Sequence, residues 1–143
     1  MSSSTAAPRI LVVGHVTHDR YEDGLVAGGC AFYGTRTHAL LDGPRPHLCA
    51  VVGEDFECEE AIADLSRDVR RAGETTLFTN YYPEGEPRIQ LIEAQAPEVT
   101  PSMFEAALAS FFDADGDKLV HLAPVMGEVD LGRWLEVIPD DVL

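Results

Sequence analysis

Asp19 follows an apolar run, Ile10 to Val13, that a glycine ends, and the pair Gly28-Gly29 follows it, leading into what reads as a helix. A carboxylate at the carboxyl end of a first strand stands in the crevice where open α/β sheets bind ligands, and it can accept hydrogen bonds from two hydroxyls of one polyol. Two glycines at a helix entrance let backbone N–H groups approach a ligand with no Cβ in the way. Together these residues suit a sugar. The residues alone leave a plainer account equally open, in which Asp19 caps a turn and the glycines make one.

Other chemistries find less support. A dinucleotide fingerprint needs GxGxxG directly after the first strand, whereas HVTHD follows Gly14. The P-loop GxxxxGK[ST] and the nucleophile elbow GxSxG are both missing. His15, His18 and Asp19 could open a metal site, but a further ligand would have to come from His38, His47 or His121, at no recognisable metal spacing. Cys30, Cys49 and Cys58 cannot all pair and show no CxxC, so neither a disulfide framework nor a zinc knuckle is expected, and Cys49 reads as a buried thiol. The net charge of −15, with only ten lysines and arginines, argues against nucleic acid and against an anionic membrane surface. Neither a secretory signal nor a run of about 20 apolar residues is present, and a cytoplasmic location is expected by default.

The elements that must position these residues follow from hydrophobic patterning. With 143 residues, 45% of them apolar, one domain with its own core is expected, after a disordered tail over residues 1–8. Residues 9–13, 47–52 and 119–125 are continuous apolar runs, the mark of parallel strands covered on both faces. Leu25 and Val26 could add a short strand. Helices are expected over 30–41, over 102–113 behind the capping pair Thr100-Pro101, and over 129–138. The stretch DFECEEAIADLSRDVRRAG, residues 55–73, reads as the clearest helix: Ile62, Leu65, Val69 and Ala72 form a stripe, acids lead, arginines follow and Gly73 ends it. Residues 75–82 and 88–94 flank PEGEP as an antiparallel hairpin. The sum is an α/β fold, a mostly parallel three-layer αβα sheet with an inserted hairpin. Its strand-helix rhythm breaks off after a helix, as in part of a larger sheet.

The order VVGHVTHD, AGGCAFYGTRTHALL, HLCAVVGEDF, TTLFTNYYPEGEPRIQLIEA and KLVHLAPVMGEVD resembles the N-terminal half of the ribokinase-like (PfkB) carbohydrate kinases, from about Arg9 to the end. The resemblance implies a partial Rossmann-like ribokinase fold whose complete form transfers phosphate from ATP, with Mg2+, to a sugar or polyol hydroxyl. It implies that Asp19 orients the acceptor, that Gly28 and Gly29 make close backbone contacts, that Cys30 and Tyr33 line the pocket, and that Asn80 and Arg88 reach the far side. Tyr33 stands where ribokinases place a sugar-binding asparagine, so ribose is a poor candidate. Only eight residues separate Asp19 from Gly28. That link is expected to be too short for the β-lid of ribokinase, which points to the branch without a large lid, the inositol-type kinases.

The family's G-A-G-D motif builds an anion hole and supplies the general base. These 143 residues contain no G-A-G-D, and DADGDK at 113–118 lacks its amides. The chain is therefore expected to be the substrate-binding half, a truncated product or one piece of a split enzyme, binding no ATP or Mg2+ alone. A complementary C-terminal half or self-association is the expected partner. The alternative reading is a non-catalytic sugar-binding or interaction module derived from the same fold.

Overall fold

A computed structural model describes residues 6–143 of the chain; the expected tail lies outside them as far as residue 5, and residues 6–8 form no helix or strand. Sheet A contains β1 (Arg9–His15), β4 (Arg45–Val52), β5 (Arg67–Arg71) and β8 (Lys118–Leu122), all parallel, in the order β5-β4-β1-β8. Because successive side chains alternate, β1 sends Ile10 and Val12 to one face and Leu11 and Val13 to the other. The first face packs with α1 (Cys30–Leu40) and α2 (Glu59–Ile62), and the second with α3 (Glu105–Asp113) and α4 (Leu131–Val137). This is the expected αβα sandwich. Trp134, fully buried, anchors α4 by donating its indole N–H to the Val99 carbonyl at 2.8 Å. Cys49 is buried as expected, and burial pushes its thiol pKa up to about 12.

Two expectations are corrected. Residues 55–73 do not form one helix: the helical part ends at Ile62, and Arg67–Arg71 is β5, lying along β4 with Leu48 opposite Arg67 and Val52 opposite Arg71. The edge of β4 needs backbone partners, and pairing with it outweighs the local helical preference. Alternation then gives Arg70 to the α3 side, where Nε donates to the Met103 carbonyl at 2.7 Å, and Arg71 to the other side, over the Phe56 ring. Ile62 and Leu65 still reach the core as the stripe required. Gly73, expected to stop a helix, instead makes a turn with φ +62°.

The second correction concerns the short link. Residues 17–28 do form a sheet: β2 (Thr17–Tyr21) and β3 (Gly24–Gly28) pair antiparallel around the turn Glu22-Asp23. β6 (Leu77–Tyr81) joins β2 in parallel, and β7 (Ile89–Ala94) pairs antiparallel with β6 as the expected hairpin, giving sheet B in the order β3-β2-β6-β7. Eight residues suffice because two of them turn the chain and the other half of the sheet arrives from a distant hairpin. Non-local pairing of that kind leaves no mark in the link itself.

The two sheets meet in a polar joint. His15 Nε2 donates to the Pro97 carbonyl at 2.7 Å, and its Nδ1 accepts from Thr76 Oγ1 at 2.9 Å, while Thr76 accepts the Ala96 N–H. Buried Glu128 accepts N–H groups from His15, Val125 and Met126. Asp55, in the segment Val52-Gly53-Glu54-Asp55 that leaves β4, accepts both the N–H and the hydroxyl of Thr75, fixing the approach to β6. Burial would raise the Asp55 pKa, but these hydrogen bonds outweigh it and hold the carboxyl below the usual range.

Candidate functional site

Asp19 is neither at the tip of β1 nor in a turn; it sits mid-strand in β2, four residues beyond β1, in the sheet that starts from the carboxyl end of sheet A. Residues paired across a ladder share a face. Asp19 lies opposite Val26 on β3 and Phe78 on β6, while Thr17 lies opposite Gly28 and Asn80 opposite Gln90. One face of sheet B therefore carries Thr17, Asp19, Tyr21, Gly28, Asn80 and Gln90. Thr17 Oγ1 donates to Asp19 Oδ1 at 2.8 Å, fixing the carboxylate and leaving further lone pairs for another donor.

The glycine pair meets this face, and each glycine already has a reason within the chain. The Asp19 carboxyl group lies so close over Gly28 that any Cβ there would overlap it. At Gly29, φ is +95°, and a Cβ would press on the His15 carbonyl oxygen. The carboxylate and the glycines thus converge, and α1 begins directly behind them at Cys30. Cys30 and Tyr33 are exposed on its first turn. Tyr33, Asp19, Tyr82 and Arg88 all lie near enough to Tyr21 to influence its ionisation. Burial, reinforced by Asp19, raises the Tyr21 pKa, so the phenol stays a donor.

Asn80 lies in β6 on the same face as Asp19. It is buried, its Oδ1 accepts from Gln90 Nε2 at 3.0 Å, and its Nδ2 has no partner among the described residues. An unpaired buried donor costs about 1–3 kcal/mol. Arg88, just before β7, is exposed beyond the strand. Thr17, Tyr21 and Tyr82 were not anticipated; the last two stack with ring centroids 6.3 Å apart. Their signal was the alternation Thr17, Asp19, Tyr21, legible only once the segment is taken as a strand. Tyr21, Asn80 and Tyr82 border an open hollow of about 870 Å³ at the tip of sheet B.

His15 and His18 do not gather a metal. His15 uses both ring nitrogens within the joint, and His18 stacks on Phe56 with Nε2 accepting the Glu57 N–H at 3.0 Å. Among the described residues, no cluster of three or more His, Cys, Asp or Glu side chains is placed to hold a metal ion. No helix of the described residues is long and apolar enough to cross a membrane.

This architecture is that of the ribokinase-like, or PfkB-type, kinase fold. The chain is similar to ribokinase from Giardia lamblia, with a TM-score of 0.68 and 18% identity over 92% of this chain and 49% of that one. It is similar to phosphofructokinase-2 from Escherichia coli, solved with fructose-6-phosphate, with a TM-score of 0.64 and 12% identity over 92% and 50%. A pyrophosphate-dependent kinase of the ribokinase family, solved with a pyrophosphate analog and myo-inositol, matches with a TM-score of 0.58 and 18% identity over 85% and 42%. The chain spans about half the length of these structures. No protein-family profile and no curated protein matches the sequence.

Proposed function

We propose that this chain is the acceptor-binding portion of a PfkB-type sugar or polyol kinase, with phosphoryl transfer depending on residues outside it. The observation that carries the reading is the shared face of sheet B, where the Thr17-fixed Asp19 carboxylate stands in the same row system as the unpaired Asn80 amide. A carboxylate accepts from two hydroxyls and an amide N–H donates to a third oxygen, a combination that recognises a polyol. Tyr21, Tyr33 and Arg88 would flank the guest, and Cys30 and the backbones of Gly28 and Gly29 would close one side. The kinship of the fold with structures that hold myo-inositol and fructose-6-phosphate supports the class of ligand without choosing among its members.

Phosphoryl transfer works by positioning and charge stabilisation around the transferring group. A net charge of −15 and no phosphate cradle beside Asp19 suit the acceptor half of that task. Calorimetric titration with myo-inositol, ribose and fructose-6-phosphate tests the reading. At least one should bind saturably, and Asp19→Asn should weaken it about 10- to 100-fold while circular dichroism stays unchanged, the worth of charged hydrogen bonds. The reading fails if a panel of polyols shows no saturable binding, if Asp19→Asn binds as wild type, or if the purified 143 residues turn over ATP with a polyol acceptor.

A further inference from the structure

Arg9, Arg45 and Lys118 are the first residues of three neighbouring parallel strands, and the ladder sets Arg9 directly beside both others. Laterally paired residues share a face, so three cations stand in one row at the amino-terminal edge of sheet A, on the side that α3 covers. Like charges placed side by side on a sheet destabilise it. Relief from within the protein is missing: among the described residues, neither Arg9 nor Arg45 makes an ion pair, although the chain has 25 acidic residues against ten lysines and arginines. Lys118 turns its ammonium to the Gly116 carbonyl at 3.2 Å. That leaves the two guanidinium groups in a cleft of about 610 Å³ walled by α3.

The single acid lining this cleft, Asp68, is engaged elsewhere. A carboxylate only accepts, so His47 donates its Nε2–H to Asp68 Oδ2, at 2.8 Å. The opposite nitrogen, Nδ1, then accepts from the Ser66 hydroxyl at 2.7 Å when the ring is neutral. This chain of bonds holds Ser66 at the cleft wall and turns Asp68 Oδ2 toward His47, so Asp68 makes no ion pair with either arginine. Ser110 of α3 adds a second hydroxyl to the lining.

From this geometry we infer a second binding site, for the phosphate group of a phosphorylated small molecule, with Arg9 and Arg45 as its cation pair and the Ser110 hydroxyl beside it. The planar guanidinium fork matches phosphate oxygens in pairs, and a dianion between two arginines turns their mutual repulsion into attraction. The cleft falls within the size range of small-molecule sites, leaving room for the rest of the ligand. A polyanionic chain is a poor occupant, because the remainder of the surface is strongly acidic. The site lies at the opposite ends of the strands from Asp19 and does not rest on the polyol reading.

Titration of the whole chain with inorganic phosphate and with a sugar phosphate, read by calorimetry and by amide chemical shifts, tests the proposal. Wild type should bind saturably, with Ser66 and Ser110 amides shifting, and Arg9→Gln/Arg45→Gln should bind about tenfold or more weakly. Removing repulsion should leave that double variant folded, with a thermal midpoint in low salt no lower than wild type; phosphate should raise the midpoint of wild type only. Asp19→Asn should bind phosphate normally, which separates this site from the polyol face. Absence of saturable phosphate binding in wild type, or unchanged binding in the double variant, overturns the proposal.

Discussion

Both ring nitrogens of His15 are committed within the joint between the sheets, and this fixes the protonation state the fold can tolerate. Pro97 offers only a carbonyl, so Nε2 carries the hydrogen; Nδ1 must then be bare to accept from Thr76. Burial lowers the His15 pKa from 6.5, opposed by the Pro97 bond and the Glu128 charge. The unfolded chain therefore takes up this proton first as the solution is acidified. Stability should be full above about pH 6.5 and fall as pH drops below it toward the lower folded value. His18 and His121, also lowered mainly by burial, act in the same direction. Thermal midpoints measured from pH 8 to pH 5 should show this decline, and His15→Gln should be less stable at pH 8 yet lose less on acidification. An equal pH slope in the variant would mean that His15 does not carry the effect. Asp19 and the glycine pair were legible in the sequence because their types and spacing are unusual. Thr17 and Tyr21 were not, because their importance comes from sharing a face, which alternation reveals only after the strand is known.

At the scale of elements, the central parallel strands of sheet A could be read directly, since both faces are covered and β1 and β4 are continuously apolar in their buried parts. β5 could not, because its arginines suit a helix end and only the bare edge of β4 makes the segment a strand. Sheet B was hidden for a related reason: its two hairpins are nearly 50 residues apart in sequence and join only through β2 and β6. The junction from β3 to α1 shows how closely the elements are fitted. Gly29 there has φ +95° and packs against the His15 carbonyl, so Gly29→Ala adds both backbone strain and a steric overlap. Urea denaturation should show a loss of about 1–3 kcal/mol, the usual cost of a strained backbone position. A variant as stable as wild type would show that the β3–α1 crossing can open away from β1 without penalty, and would remove the basis for a rigid joint behind Asp19.

At the scale of the whole molecule, the apolar surface is unevenly spread. Sheet B leaves Tyr81, Ile89 and Leu91, each 47% or 48% exposed, together on the face opposite Asp19, a concentration of large apolar side chains that scattered surface residues do not produce. In sheet A, β8 is an edge strand of mostly half-buried residues, and among the described residues its outer side takes backbone hydrogen bonds from Leu143, between Val120 N–H and Leu143 O and between Leu143 N–H and Lys118 O. Both features favour association with another chain. The charge of −15 opposes it, since two copies repel. Salt screens that repulsion over about 10 Å at 0.1 M without weakening apolar contact. Sedimentation velocity at micromolar concentrations should therefore show self-association that grows stronger, not weaker, as sodium chloride is raised. Leu91→Lys should diminish it if sheet B is the contact and leave it unchanged if the β8 edge is. A chain that stays monomeric at every concentration and salt level would mean that neither surface needs covering, and the expectation of an incomplete sheet awaiting a complementary half would have to be abandoned.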